Sequence, residues 1–159
     1  MGRDGVPRSE AEGRVSEDLQ IRLLRDSPAF LETITHWVSE EWEKTTEEAL
    51  GVRMLGNDGC PATLVAVSGD EVVGVIAFTR VGTDGQALEG LWVNILYVEE
   101  TMRAKGIGKR LLAEGVEAAR ESGEERLFAL TEVAAYYEAL GWERGRDRRG
   151  DSKVVTLDL

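Results

Sequence analysis

Trp92-Val93-Asn94-Ile95-Leu96-Tyr97-Val98-Glu99-Glu100-Thr101-Met102-Arg103-Ala104-Lys105-Gly106-Ile107-Gly108-Lys109-Arg110-Leu111-Leu112 decides the fold. Its first seven residues are mostly β-branched or aromatic, the composition of a buried strand. Its last part places Ile107, Leu111, Leu112 and, further on, Val116 at helical spacing. Between strand and helix lies a short loop with two glycines. The charges of that junction are unusual. A helix N-terminus carries partial positive charge and favours acids in its first turn. Here Arg103, Lys105, Lys109 and Arg110 crowd the junction, and no acid stands between Glu100 and Glu114. Gly106 and Gly108 let the backbone N–H groups approach a ligand closely. Free amides, a helix dipole and cations together make an anion site, phosphate being the natural occupant. The plainer alternative is a solvated basic loop whose glycines serve a tight turn.

Two familiar phosphate loops are excluded by spacing. A dinucleotide fingerprint needs a third glycine where Leu111 stands. A Walker loop needs Gly-Lys followed by Ser or Thr, and Arg110 follows Gly108-Lys109 instead. The segment Arg103-Ala104-Lys105-Gly106-Ile107-Gly108, after a strand and before an amphipathic helix, resembles the central Arg/Gln-x-x-Gly-x-Gly/Ala motif of the GNAT acetyltransferase superfamily. A second segment, Tyr136-Tyr137-Glu138-Ala139-Leu140-Gly141-Trp142, resembles the aromatic-Tyr-x-x-x-Gly-aromatic segment of the same superfamily. The resemblance covers roughly residues 20–159.

The remaining composition agrees with a chain of this type. With 159 residues, 42% of them hydrophobic, a single domain is expected over residues 18–159, after a disordered, charged tail at 1–17. No apolar run approaches the about 18 residues of a membrane span, and no signal-peptide core opens the chain. Cys60 is the only cysteine and His36 the only histidine, which fits a cytoplasmic location and excludes a disulfide framework or a multi-histidine metal site. Net charge of −11 and pI of about 4.6 argue against nucleic acid and towards cationic partners. The protein is expected to be a monomer or homodimer.

Along the chain, residues 20–24 read as an edge strand. Ser27 and Pro28 read as the start of a helix whose stripe is Phe30, Leu31, Ile34, Trp37, Val38 and Trp42. A weaker helix runs from Thr46 towards Leu55, and a turn cluster occupies 56–61. Strands at 63–67 and 72–79 form a hairpin around Ser68-Gly69-Asp70. After the central strand and long helix, residues 126–130 form a strand, Thr131 caps a short helix ending at Gly141, and 142–144 pairs with 154–159. This order implies a mixed α/β sheet. The resemblance sharpens it to a GNAT fold, mostly antiparallel, with six to seven strands and about four flanking helices.

The resemblance also implies a chemistry: direct transfer of acetyl from acetyl-CoA to a primary amine of a small cationic molecule such as an aminoglycoside, a polyamine or an amino-acid derivative. A peptide N-terminus or lysine as acceptor, or a CoA-binding sensor without turnover, are the alternatives. Cofactor contacts are carried over to Leu96, Tyr97 and Val98 on the strand and to Arg103, Ala104, Lys105, Gly106, Ile107, Gly108 and Lys109 in the loop and helix. Tyr137 is implied as the phenol that returns a proton to the departing sulfur. Spacing alone assigns Val133, Tyr136, Tyr137 and Leu140 to one packing face. Some relatives carry acids on the central strand, where this chain has Asn94, Ile95 and Leu96, so Asn94 is the candidate to hold a water that takes the amine's proton. Glu132 and Glu89 are weaker candidates for the base. Trp37 and Glu41 are candidate acceptor contacts on the first helix.

Overall fold

Runs rich in valine, isoleucine and aromatics become strands, and runs with a 3.6-residue apolar period become helices. The computed structural model describes residues 19–41, 60–81, 90–149 and 151–159. In chain order these form β1 (Leu19–Leu23), α1 (Leu31–Glu41), β2 (Leu64–Ser68), β3 (Glu71–Val81), β4 (Gly90–Val98), α2 (Ile107–Glu121), β5 (Arg126–Thr131), α3 (Ala134–Ala139), β6 (Glu143–Arg149) and β7 (Ser152–Asp158). The strands form one seven-stranded sheet in the order β1-β2-β3-β4-β5-β7-β6. Only β4 and β5 run parallel, and α2 is the crossover that a parallel pair requires. The expected mixed, mostly antiparallel sheet is therefore present. Three α-helices flank it among the described residues, where about four were expected. The weaker helix from Thr46 towards Leu55 and the tail at 1–17 lie outside the described residues.

Three boundaries differ from the sequence expectation, each for a local reason. Residues 28–30 form a 3-10 turn ahead of α1, because Phe30 N–H bonds to Ser27 C=O and closes a tighter ring; the Ser27 side chain makes no cap. Thr131 ends β5, paired with Lys153, and its Oγ1 accepts from Val133 N–H at 2.9 Å. Strand pairing keeps Thr131 in the ladder, so α3 begins later, with Val133 at its N-cap. The last hairpin is longer than expected, since pairing runs from Glu143↔Thr156 to Arg149↔Ser152.

Both faces of the sheet are covered. Helix α2 buries Ile107, Leu111, Leu112, Gly115 and Ala119 against Ile76, Phe78, Leu91 and Leu127. Helix α1 buries Ile34, Trp37 and Val38 against Val65, Val67, Val75 and Ile95 on the other face. Glycine lets α2 lie directly on β3. A Cβ at Gly115 would stand 2.7 Å from Ile76 Cδ1 and 3.0 Å from Phe78 Cζ, and one at Gly74 would stand 2.9 Å from Leu111 Cδ1.

Two irregularities in β4 break the regular ladder at one end of the sheet. Pairing with β5 is confined to Leu91↔Leu127, Trp92↔Phe128 and Val93↔Ala129, after which the two strands part. At the same point the β3–β4 register jumps from Phe78↔Val93 to Ala77↔Ile95, leaving Asn94 as a bulged residue. The extra residue reverses the alternation. Leu91 and Val93 face the α2 core, and beyond the bulge Leu96 and Val98 do so, while Ile95 and Tyr97 turn to α1.

Candidate active site

Where β4 and β5 part, they leave a cleft of about 730 Å³. That size is within the range of cofactor sites. Leu96, Tyr97 and Val98 form one wall. Met102, Arg103, Ala104 and residues 106–109 form the floor, Val133 and Tyr136 the second wall, and Glu41 one rim. Gly108 sits where the walls converge: a Cβ there would lie 3.5 Å from Val98 Cγ2 and 3.7 Å from the Tyr136 hydroxyl. The site is thus at the carboxyl ends of two parallel strands, where ligands of open α/β sheets bind.

The floor is built from amides. Ala104 and Gly106 both take left-handed backbone conformations, with φ of 63° and 84°. For alanine that costs about 1–2 kcal/mol, a strain that marks functional loops. Among the described residues no acceptor meets the N–H groups of residues 104–109. The N-cap Gly106 offers no side chain, and the first turn of α2 holds no acid. A helix end with unmet donors and a positive dipole is a place for an anion.

The cations divide by task. Arg103 Nε donates to Val98 C=O at 2.8 Å, and its guanidinium lies 5.1 Å from the centre of the Tyr97 ring. It ties the loop back onto the end of β4. Arg110 donates to Leu19 C=O at 3.3 Å and is committed to β1. Lys109 lines the cleft; Lys105 is half-buried and does not. Glu99 accepts from Thr101 N–H and Thr101 Oγ1, which fixes the turn between β4 and the loop.

The structure thus brings together Leu96, Tyr97, Val98, Arg103, Ala104, Gly106, Ile107, Gly108, Lys109 and Glu41 from the expected set. Trp37 is buried in the α1 core, its ring 5.2 Å from that of Tyr97, and supports the cleft wall from behind. Asn94 is exposed on the bulge, outside the cleft lining. Tyr137 is buried, with its ring edge-on to Tyr136 at 5.6 Å and to Trp142 at 5.1 Å. Burial, helped by Tyr136, pushes its phenol up to about 12. Glu132 is exposed, and Glu89 lies outside the described residues.

Sequence reasoning missed Met102, Val133 and Tyr136 as lining residues. A signal exists for two of them. Leu130, Val133 and Tyr136 are the exposed large hydrophobic residues of the described chain, spaced by three. Exposed apolar side chains gathered at a cleft mark a binding surface. Among the described residues, no helix is long and apolar enough to cross a membrane.

Comparison with known proteins bears on the same segments. The profile of the Acetyltransferase (GNAT) family matches residues 28–142, which take in the loop and both cleft walls. A protein of Escherichia coli K12 described as "Uncharacterized N-acetyltransferase YhbS" is 31% identical over 91 residues, which are 56% of this chain and 54% of that protein. The chain therefore spans about half the length of the curated relatives it matches. Among solved structures, the NatC complex bound to Gag peptide and CoA superposes with a TM-score of 0.70 at 17% identity, covering 89% of this chain and 99% of that one. The ribosomal-protein-alanine N-acetyltransferase of Brucella melitensis does so with a TM-score of 0.67 at 25% identity, covering 88% and 99%. With the family profile spanning well over half of its length, this chain belongs to the GNAT family of acetyltransferases.

Proposed function

We propose that this protein transfers an acetyl group from acetyl-CoA to a primary amine by direct transfer. One observation carries the reading: a row of unmet amides at residues 104–109 closes one end of a cleft opened by the parting of β4 and β5. The donor set fits the cofactor. A diphosphate needs N–H donors without nearby carboxylates, and the α2 end supplies them. A pantetheine arm carries amides of its own, and residues 96–98 lie beyond the last β4–β5 pair, where the arm can align with β4 as an added strand. When bound, acetyl-CoA supplies a thioester activated for acyl transfer.

The protein's own residues then have three tasks. Lys109 and the loop amides hold the phosphates, and Arg103 keeps the loop in place through Val98 and Tyr97. An alkylammonium has a pKa near about 10 and must lose a proton before it attacks. Asn94 takes no proton itself; exposed on the bulge, it holds a water that does. Tyr137 Oη holds the proton that the leaving sulfur takes, and a phenol raised to about 12 remains protonated at neutral pH. Tyr137→Phe is expected to lower kcat by about 10²-fold or more while leaving CoA affinity within a few fold. Unchanged kcat would remove Tyr137 from the mechanism.

The acceptor proposed first is a small cationic amine, in keeping with the net charge of −11 and with Glu41 on the cleft rim. A peptide N-terminus is the second reading, favoured by neighbours whose names specify a bound peptide and a ribosomal protein. A screen with acetyl-CoA against polyamines, aminoglycosides, amino-acid derivatives and short peptides, read by mass spectrometry, decides between them. CoA binding without acetylation of any acceptor would instead support a sensor.

A further inference from the structure

The sequence motif directs attention to Tyr137, yet of these two adjacent tyrosines it is Tyr136 that lines the cleft. Successive residues of a helix point about 100° apart, so when Tyr137 enters the core Tyr136 is left outside. Tyr136 is 40% exposed, and its hydroxyl has no hydrogen-bond partner among the described residues. That hydroxyl is 3.7 Å from the position a Cβ on Gly108 would take, so it hangs over the first turn of α2, beside the unmet amides. Tyr137 backs the ring edge-on, and Trp142 backs Tyr137. An exposed phenol carried on a buried aromatic stack is held in place.

We propose that Tyr136 is a cofactor-binding residue whose hydroxyl donates a hydrogen bond to the diphosphate, completing the amide cradle from the opposite wall. This rests on the acetyl-CoA reading above. Partial burial raises the Tyr136 phenol, which keeps it a neutral donor over the working pH range. The two adjacent tyrosines thereby separate by task, Tyr136 at the phosphate end and Tyr137 beneath it. Tyr136 lies outside the glycine motif, and its position over Gly108 exists only because α3 comes after the parted end of β5.

Calorimetry with CoA, and displacement of CoA by inorganic pyrophosphate, test the assignment on wild type, Tyr136→Phe and Tyr137→Phe. Tyr136→Phe keeps the ring and loses an unbonded hydroxyl, so its melting temperature should match wild type. Its affinity for CoA and for pyrophosphate should each fall about five- to tenfold. Tyr137→Phe should leave both affinities within a few fold. Equal CoA affinity in wild type and Tyr136→Phe would overturn the proposal. So would a loss seen with CoA but not with pyrophosphate, or wild-type CoA that pyrophosphate does not displace. Wild type that binds no CoA at all would instead overturn the parent reading.

Discussion

Gly106 and Gly108 look alike in the motif and serve different needs. Gly106 holds φ at 84° with nothing within 4 Å of an added Cβ, so a side chain there meets backbone strain and no neighbour. Gly108 has an ordinary helical place but faces the vertex of the cleft, where a methyl would make normal contacts with Val98 and Tyr136. Gly108→Ala, which the motif itself admits, is therefore expected to fold with an unchanged melting temperature and keep CoA affinity within a few fold. The bulky Gly108→Leu should instead bind CoA at least about tenfold more weakly, since its side chain fills the ligand's approach. Gly106→Ala should lose about 1 kcal/mol of stability together with affinity. Thermal melts beside calorimetry separate the two; equal stability losses would contradict this division. Ala104 already holds a left-handed conformation without being glycine, which no spacing rule would have foretold.

At the scale of elements, α2 matters as a carrier of its own N-terminus. Its height above the sheet is set by the Gly115 contact with Ile76 and Phe78 and by Gly74 beneath Leu111 and Ile107. Ile76 and Phe78 are buried and have no room to withdraw. Gly115→Val, although it removes a helix-weakening glycine, should destabilise the fold by about 1–3 kcal/mol through overpacking. Tilting the helix should also weaken CoA binding at the far end. A urea titration with a CoA binding curve tests both, and a variant as stable as wild type would show that α2 does not sit on β3 this closely. The Asn94 bulge acts similarly on β4: one additional residue turns Leu96 and Val98 towards α2 and gives Tyr97 to Trp37 and Arg103.

For the molecule as a whole, the buried Tyr137 links folding to alkaline pH. Below about pH 10 the phenol is neutral in both native and unfolded chains, and its contribution is whole. Between about pH 10 and 12 the unfolded chain releases the proton while the native one keeps it, so stability falls as pH rises. The shift corresponds to about 2–3 kcal/mol. Urea midpoints from about pH 9 to 11 should decline more steeply for wild type than for Tyr137→Phe, and parallel slopes would show that the phenol is not buried in solution. The surface ion pairs Arg80–Glu124, Arg126–Asp158 and Arg144–Glu138 are partly exposed and add little to this balance.

Local pattern and charge alone identified the strand–loop–helix unit, the hairpin and the mixed sheet, and pointed to residues 103–109 as a place for an anion. Each depends on neighbours in sequence: strand composition, helical period, glycines, and cations where acids belong. The cleft itself came from pairings between distant residues. Where β4 leaves β5, where the register jumps at Asn94, and which of two adjacent tyrosines faces outward are all set by contacts across the sheet. Spacing by three and four residues put Val133, Tyr136 and Tyr137 on one packing face, but only Tyr137 is buried there, while Val133 and Tyr136 stay exposed at the cleft. Only the parting of the strands beside α3 turned part of that face into the wall of a site, because an apolar side chain is buried or left waiting for a ligand according to what packs opposite it.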